Sequence, residues 1–222
     1  AKRLAVWEMT DPELDGDVLV DVNDEVRATL IRGSTPEELV AAVGDLDLDD
    51  PVQAYIPEFP QTGQVTTIRH LLSHTAGIPH YKSALDAMSF TRYESLQSAT
   101  EAILARGLVS AAGERYVYSS FGYTLLGRIV EIASNSHFDD YMRENIWQRA
   151  SMKNTSLESS DFPENKSRLY VKAGEFYLRS PYTDLSIIYP AGGVQSTAED
   201  LLMFGKAILE NILVSRETLE LM

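Results

Sequence analysis

The sequence predicts an α+β fold that is mainly helical and carries a short, incomplete antiparallel sheet. Two observations support this prediction. After residue 46, apolar residues recur at the three- and four-residue spacing of amphipathic helices, in stretches separated by loops that contain Pro, Gly, Ser and Asn. Strand-like alternation is confined to short stretches, of which residues 17–32 are the clearest.

Several stretches after residue 46 carry the boundary residues of helices as well as their spacing. Thr67 is placed to cap a short helix that Gly77 and Pro79 terminate, and residues 93–106 form a second helix. Short strands are predicted around residues 168–171 and 176–178. Two further helices are predicted, one from the apolar positions Phe138, Tyr141, Met142 and Ile146, and one opened by the capping box Ser196-Thr197-Ala198-Glu199, with Leu201, Leu202, Ala207 and Leu209 as its apolar positions.

The helix that begins after Ser120 has the strongest periodic signal. Its apolar residues recur at helical spacing and cover more than one face: Phe121, Leu125, Leu126, Ile129, Val130 and Ile132. We therefore expect this helix to be deeply buried. We also expect the 121–133 stretch to leave apolar area exposed, which would favour self-association of the chain.

Residues 1–45 form an acidic segment that differs in composition from residues 46–222. Within it, the alternation over residues 17–32 predicts two strands joined by a turn at Asn23-Asp24. Ser34-Thr35-Pro36-Glu37 then has the pattern of a helix start. The segment is either part of the same domain or a separate strand-strand-helix module.

Composition excludes several classes of function. The net charge of −14 argues against nucleic-acid binding, which needs a basic surface. No apolar run approaches the ~20 residues that a membrane-spanning helix requires, so we expect no membrane insertion. With no cysteine, the chain has no disulfide, thiol nucleophile or thiolate metal site. No export signal is visible at the start of the sequence.

The four histidines lack the spacing of a metal site, and we predict neither a metal nor another cofactor. His70 and His74 are four residues apart and could share one face of a helix. The intervening residues contain no glutamate that could act as a base beside a bound metal. We interpret the two residues as a pair at a helix end, with one ring in solvent.

Four phrases, in order along the chain, resemble the serine β-lactamase and penicillin-binding-protein-like hydrolases (DD-peptidase and LACTB-like) over about residues 46–209. They are LDLDDPV at 46–52, IRHLLSHTAGIP at 68–79, YVYSSFGYTLLG at 116–127, and AGGV at 191–194 followed by STAEDL at 196–201. The phrases PEFP at 57–60 and IPHY at 78–81 are similar to the LACTB-like branch. The resemblance implies the β-lactamase/DD-peptidase-like fold.

The resemblance also implies a reaction and candidate site residues. Members of this family transfer acyl groups of amides or esters through a serine ester, with a lysine base in Ser-x-x-Lys and a tyrosine that shares the proton. Tyr118 matches that tyrosine. Ser120 matches the third residue of the Tyr-x-Asn motif, with a hydroxyl where the family usually has an amide. Gly192 and Gly193 match the late glycine turn that borders the substrate.

The family's nucleophile motif is not found in the printed sequence. No lysine stands three residues after a serine, and no Lys/His-Thr-Gly triplet follows the late glycine turn. The nearest substitute is Ser34 with Glu37, but a carboxylate at its usual pKa is a poor base for a hydroxyl. The capping role explains Ser34 better.

Two interpretations of function therefore stay open. The first is a serine hydrolase of the peptidase or esterase type, acting on a small-molecule or peptide amide or ester, that is incomplete or inactive as the sequence stands. The second is a non-catalytic binding or scaffolding protein on the same fold. Whether the chain is an enzyme is thus undecided by its sequence. Its localisation is also undecided, although the resemblance allows a periplasmic or secreted protein.

Limited proteolysis tests whether residues 1–45 are a separate module. If they are, we expect an early cut between residues 44 and 50 that leaves a stable fragment, because linkers between compact units are accessible to proteases. One continuous domain would resist cleavage at this point. The products are identified by mass spectrometry.

Overall fold

The computed structural model describes residues 46–61, 63–88, 90–158, 167–180, 182–216 and 219. The strands predicted at residues 17–32 and the helix predicted after Ser34 lie outside these residues. The chain divides into two compact units. One contains residues 1–32 and 161–182, and the other contains residues 33–160 and 183–222.

The second unit is mainly helical, as the sequence predicts. Its α-helices are α1 (Ile68–Leu72), α2 (Ala84–Ala87), α3 (Leu96–Leu104), α4 (Ser120–Ser134), α5 (Phe138–Met142), α6 (Tyr189–Gly192) and α7 (Ala198–Leu209). Helix α5 continues into a π-helical turn over Arg143–Trp147, and single 3₁₀ turns occupy Val52–Ala54 and Ser186–Ile188. None of the described helices is long and apolar enough to cross a membrane.

Helix α4 lies at the centre of the larger apolar core. Phe121 and Leu125 are fully buried, and α1, α3, α6 and the 3₁₀ turn Ser186–Ile188 pack around the helix. Gly127 permits the approach of α6, because a Cβ atom at this position would lie 2.3 Å from Cγ of Pro190. The predicted deep burial of this helix is therefore confirmed.

The expected exposed apolar face on α4 is wrong. Leu126, Ile129 and Val130 are buried by the surrounding helices, and only Ile132, near the end of the stripe, is 37% exposed. Neighbouring elements of the same unit cover the faces that we expected a partner to cover. Self-association of the chain stays a prediction, but this helix does not supply the surface for it.

A second apolar cluster joins the π-helical turn to α7. Ile146 and Trp147 pack with the buried face of α7, which is formed by Phe204, Ala207 and Ile208. The sequence prediction for α7 was wrong in two respects. Thr197, not Ser196, is the N-cap, since its side chain accepts the Asp200 N–H. Leu202 and Leu209 are 72% and 74% exposed, because the Phe204 face is the one that packs.

The strands described in the structure form two small antiparallel pairs. In the second unit, β1 (Ser156–Leu157) pairs with β4 (Val194–Gln195). In the first unit, β2 (Tyr170–Ala173) pairs with β3 (Phe176–Arg179), with Val171 opposite Leu178. The predicted strands at residues 168–171 and 176–178 are thus confirmed, with their ends shifted by one or two residues. The described part of the chain is α+β with very little sheet.

Asp200 anchors the loop before β1 to the first turn of α7. Its buried Oδ2 accepts hydrogen bonds from the Asn154 N–H at 2.6 Å and the Thr155 hydroxyl at 2.7 Å. Burial raises the pKa of this carboxyl, but the hydrogen bonds from Thr155 and Asn154 outweigh that effect and hold the pKa below its ordinary value. The carboxylate is therefore ionised near neutral pH and accepts both hydrogen bonds.

We expect Asp200→Ala to lower the free energy of unfolding by about 2–3 kcal/mol, since two donors lose a charged acceptor. The matched control is Glu199→Ala, which removes an exposed carboxylate one residue earlier and should change stability by no more than about 0.5 kcal/mol. Urea denaturation measures both values. Equal losses in the two variants would contradict the anchoring role.

Candidate active site

The tyrosine loop, residues 116–120, leads directly into α4. Ser119 is the N-cap of this helix, and its Oγ accepts the Phe121 N–H at 3.1 Å. The same hydroxyl donates to the carbonyl oxygen of Pro79 at 2.6 Å, and the residue is 1% exposed. Ser119 thus fixes where the helix starts. Its hydroxyl is occupied by these two hydrogen bonds and is too buried to act as a nucleophile.

Tyr118, the candidate catalytic tyrosine, contacts two imidazole rings. Its ring centroid is 4.7 Å from that of His74 and 5.2 Å from that of His80. The His74 ring also contacts Tyr116 at 5.7 Å and Tyr123 at 5.2 Å. Tyr118 itself is half-buried. These contacts restrict the orientation of a side chain that still reaches the surface.

The turn after α1 places His74 beside the tyrosine loop. Helix α1 ends at Leu72, and His74 adopts a left-handed backbone conformation with φ of 56°. The His74 carbonyl then accepts the Val117 N–H at 2.7 Å. Gly77 closes the turn at φ of 73°, where a Cβ atom would lie only 2.1 Å from the Ser110 carbonyl oxygen.

The expected position of His70 and His74 at a helix end is confirmed, since His70 lies in the last turn of α1 and His74 follows the C-cap residue Ser73. The two rings do not share a helix face, because the chain leaves the helix after Leu72. His70 instead turns back to the N-terminus of α1, where its Nδ1 lies 3.1 Å from the Thr67 nitrogen and accepts that N–H. Both rings are half-buried, so the expectation of one solvated ring also fails.

Both imidazoles beside Tyr118 accept backbone hydrogen bonds at the start of α4. Nδ1 of His74 accepts the Ser119 N–H at 3.2 Å, and Nδ1 of His80 accepts the Ser120 N–H at 3.4 Å. An Nδ1 atom that accepts carries no proton, so a neutral ring in this position holds its proton on Nε2. Burial, followed by the charge of His80, lowers the pKa of His74 from 6.5 to about 4.

The predicted site residues lie on two elements. Ser120 is the first residue of α4 and is almost fully buried, next to Tyr118. Gly192 ends α6, and Gly193 follows it, where its carbonyl accepts the Glu158 N–H. A Cβ atom at Gly193 would lie 2.4 Å from the Tyr189 ring, so this turn requires glycine. The structure brings Tyr118 and Ser120 together, whereas the glycines belong to the element that packs further along α4.

The sequence did not predict that Tyr118 contacts His74 and His80. Tyr118 follows the two histidines by about 40 positions, and no local spacing links it to them. The available signal was the phrase IRHLLSHTAGIP itself, which contains His74 and precedes His80. The phrase contains two histidines, His70 and His74, and as a family motif it assigns neither of them a position in the site.

A second polar cluster lies at α6, beside the glycine turn. Arg92 donates to the Tyr189 hydroxyl at 2.8 Å and lies 3.8 Å from Oδ2 of the buried Asp184. Burial raises the pKa of Tyr189, although Arg92 acts in the opposite direction. Among the described residues, no group of three or more His, Asp or Glu side chains could hold a metal ion.

Comparison with protein-family models matches residues 39–222 to the beta-lactamase family. A second match, to the MgtE intracellular N domain, covers residues 1–74, which is less than half of the chain. The beta-lactamase match includes every residue of the site described above.

The curated relatives that match this chain include a beta-lactamase-like protein and a penicillin-binding protein. The chain is 30% identical over 236 residues to the mitochondrial serine beta-lactamase-like protein LACTB of Homo sapiens, covering 75% of this chain and 43% of that protein. It is 28% identical over 202 residues to penicillin-binding protein 4* of Bacillus subtilis (strain 168), covering 82% of this chain and 44% of that protein. The chain therefore spans less than half the length of these relatives.

Solved structures extend the similarity to the fold. The D-amino acid amidase of Ochrobactrum anthropi SV3, complexed with L-phenylalanine amide, matches with a TM-score of 0.71 and 25% identity over 83% of this chain and 55% of that one. The octameric penicillin-binding protein homologue from Pyrococcus abyssi matches with a TM-score of 0.69 and 25% identity over 85% of this chain and 45% of that one.

The lowered pKa of His74 predicts a pH-dependent stability. Between pH 6.5 and about 4 the unfolded chain binds a proton at this residue and the folded chain does not, so acidification lowers the free energy of unfolding. Above pH 6.5 both states are neutral and the contribution is constant. We expect His74→Asn to show a smaller loss over this range in urea denaturation.

The control for this experiment is His137→Asn, since the His137 side chain is 88% exposed. This variant should keep the pH dependence of the parent. A parent profile that is flat between pH 6.5 and 4.5, or a slope that His74→Asn leaves unchanged, would contradict the assignment. Acidic side chains also titrate near the lower end of this range, because the ordinary pKa of Glu is about 4.3, so the difference between His74→Asn and the parent isolates the contribution of His74.

Proposed function

Because the chain belongs to the beta-lactamase family, we propose that residues 46–222 form the largely helical region of a serine hydrolase that acts on amides or esters, with Tyr118 as its proton-transfer group. The observation that carries this proposal is the position of Tyr118, held between His74 and His80 at the start of α4. The substrate class is a small molecule or peptide with an amide or ester bond.

The surroundings of Tyr118 suit a proton-transfer group. A general acid or base must be oriented before the reaction, since a misplaced group loses most of its effect. Ring contacts fix Tyr118 from two sides, and the adjacent Ser119 and Ser120 amides are each hydrogen-bonded to an imidazole. The phenol therefore lies on a loop whose backbone amides and tyrosine ring both contact the same two imidazoles.

The nucleophile is the part that the described residues do not supply. The Ser119 hydroxyl is buried and occupied by Pro79 and Phe121, and the printed sequence contains no Ser-x-x-Lys. A tyrosine cannot pass on a proton that no serine has released, and groups that act as one catalytic unit lose nearly everything when one is missing. We therefore propose that this chain alone has little or no acyl-transfer activity.

Within the same proposal we assign Ser120 to the catalytic site beside Tyr118, and Gly192 and Gly193 to substrate binding. Ser120 follows the tyrosine by two residues, but it is only 9% exposed, so its hydroxyl reaches a substrate less easily than a longer amide would. The Gly192–Gly193 turn is shaped by the Tyr189 ring, which Arg92 contacts. The glycines would border the substrate from the α6 side.

A non-catalytic binding or scaffolding protein is the second candidate function. It is favoured by an ordered tyrosine loop in a sequence without the nucleophile motif. Covalent labelling separates an active hydrolase from a chain without an activated serine, since a fluorescent penicillin or a fluorophosphonate forms a stable adduct only with an activated serine. A labelled band that unlabelled penicillin competes away would contradict both the proposed lack of activity and the binding protein. A chain that stays unlabelled would agree with the proposed lack of activity and with the binding protein alike.

We expect hydrolysis of nitrocefin and p-nitrophenyl esters by this chain to be close to background, and Tyr118→Phe to change the rate very little. The physical reason is that the step served by the tyrosine follows the attack of a serine. The rates are measured by absorbance with matched amounts of the parent and the variant.

The control variant is Tyr116→Phe, which removes a hydroxyl from an exposed tyrosine of the same loop. A robust parent rate that collapses in Tyr118→Phe and survives in Tyr116→Phe would show that the chain has a nucleophile that we have not identified. A collapse in Ser34→Ala would identify that nucleophile as Ser34.

A further inference from the structure

We infer that His74 and His80 act together as positioning residues for the tyrosine loop, each using Nδ1 of its imidazole to accept one backbone N–H at the start of α4 and its ring to contact Tyr118. We call this pair the histidine clamp. Its meaning for catalysis rests on the proposed function of Tyr118. Its geometry and its test do not require the chain to be active.

The hydrogen bonds of the clamp complete the N-terminus of α4. The first amides of a helix lack partners within the helix and need acceptors from elsewhere. Here the Phe121 N–H is satisfied by Ser119 Oγ, the Ser119 N–H by Nδ1 of His74, and the Ser120 N–H by Nδ1 of His80. Two consecutive amides thus depend on side chains that lie about 40 residues earlier in the chain.

Two further hydrogen bonds connect the segment that carries the clamp, residues 74–80, to the tyrosine loop. The Val117 N–H donates to the His74 carbonyl at 2.7 Å. The Ser119 hydroxyl donates to the Pro79 carbonyl at 2.6 Å, one residue before His80. Each imidazole therefore lies next to a backbone connection between the two segments, so neither ring can move far while these bonds persist.

The position of the clamp determines the surroundings of Tyr118 through direct ring contacts. Its ring is tilted by 47° against His74 and meets His80 edge-on at 78°. On its other sides His74 contacts Tyr116 and Tyr123. A rotation of either imidazole would therefore change the surroundings of the phenol. Backbone hydrogen bonds and ring packing act on the same residue through the same two side chains.

The clamp requires that Nδ1 of His74 stay unprotonated. A proton on Nδ1 would place a donor against the Ser119 N–H donor and a positive charge at the positive end of the helix dipole. The rings in contact with His74 are those of Tyr116, Tyr118 and Tyr123, and the charge of His80 also acts on it. None of these side chains is a carboxylate, so none of them would compensate a positive charge on His74. Acidification should therefore release the tyrosine loop when His74 gains its proton.

Nuclear magnetic resonance of the complete 222-residue chain, with ¹⁵N-labelled histidine, tests the clamp directly. At pH 7 we expect His74 and His80 to carry the proton on Nε2, while the exposed His137 serves as an internal reference that exchanges between tautomers. We expect the Ser119 amide to be protected from hydrogen exchange at pH 7 and to lose that protection with the same midpoint as His74 protonation. A proton on Nδ1 of His74 at pH 7 would overturn the inference.

Two substitutions at position 74 compare an acceptor with a ring. Because the left-handed backbone of His74 suits Asn better than Phe, the matched pair at His80, where φ is not positive, separates the hydrogen bond from backbone strain. His74→Asn places a side-chain oxygen where Nδ1 lies, whereas His74→Phe keeps a ring and removes the acceptor. We expect exchange of the Ser119 amide to become about tenfold faster in His74→Phe, the loss of roughly one hydrogen bond, and to stay nearly normal in His74→Asn. Equal exchange rates in these two variants would contradict the clamp.

A matched pair at the second histidine, His80→Asn and His80→Phe, should affect the Ser120 amide in the same way. If a variant does not fold, the tautomers and the acid titration of the parent chain decide the question. A clamp that behaves as expected in a chain without hydrolase activity would support the positioning role and contradict only the proposed reaction. Conversely, an active chain with a protonated Nδ1 would support the reaction and contradict the clamp.

Discussion

Helix α4 is enclosed by α1, α3 and α6, and its fully buried Phe121 and Leu125 side chains set the positions of the elements around it. Each such side chain contributes roughly 1.5–3 kcal/mol when it is removed from water. The approach of α6 depends further on Gly127, where the ring of Pro190 occupies the space that a Cβ atom would take. The late glycine turn is held near the core in this way.

The same helix fixes the candidate site, because the tyrosine loop ends where α4 begins. Ser119 caps the helix and donates a hydrogen bond to the Pro79 carbonyl. This residue therefore connects the start of the buried helix to the loop that carries His80. The position of the candidate site therefore depends on the same packing as the core.

Local sequence was sufficient for most element positions after residue 46. Cap residues and apolar spacing predicted α1, α3 and α4 within a few residues, because those signals act over one or two turns. The buried face of α7 was not predictable in this way. Its sequence offers apolar residues on two sides, and contact with Trp147 and Ile146 decides that Phe204 is buried and Leu202 exposed.

For the site, the sequence by itself determined the position of Tyr118 in a recognisable family phrase and the lack of Ser-x-x-Lys in the printed residues. Only the tertiary structure decided that His74 and His80 lie on either side of that tyrosine. The physical reason is that a left-handed turn at His74 and hydrogen bonds to amides about 40 residues away have no periodic signature. The sequence shows that a tyrosine stands at position 118, but tertiary packing determines which side chains lie next to its ring.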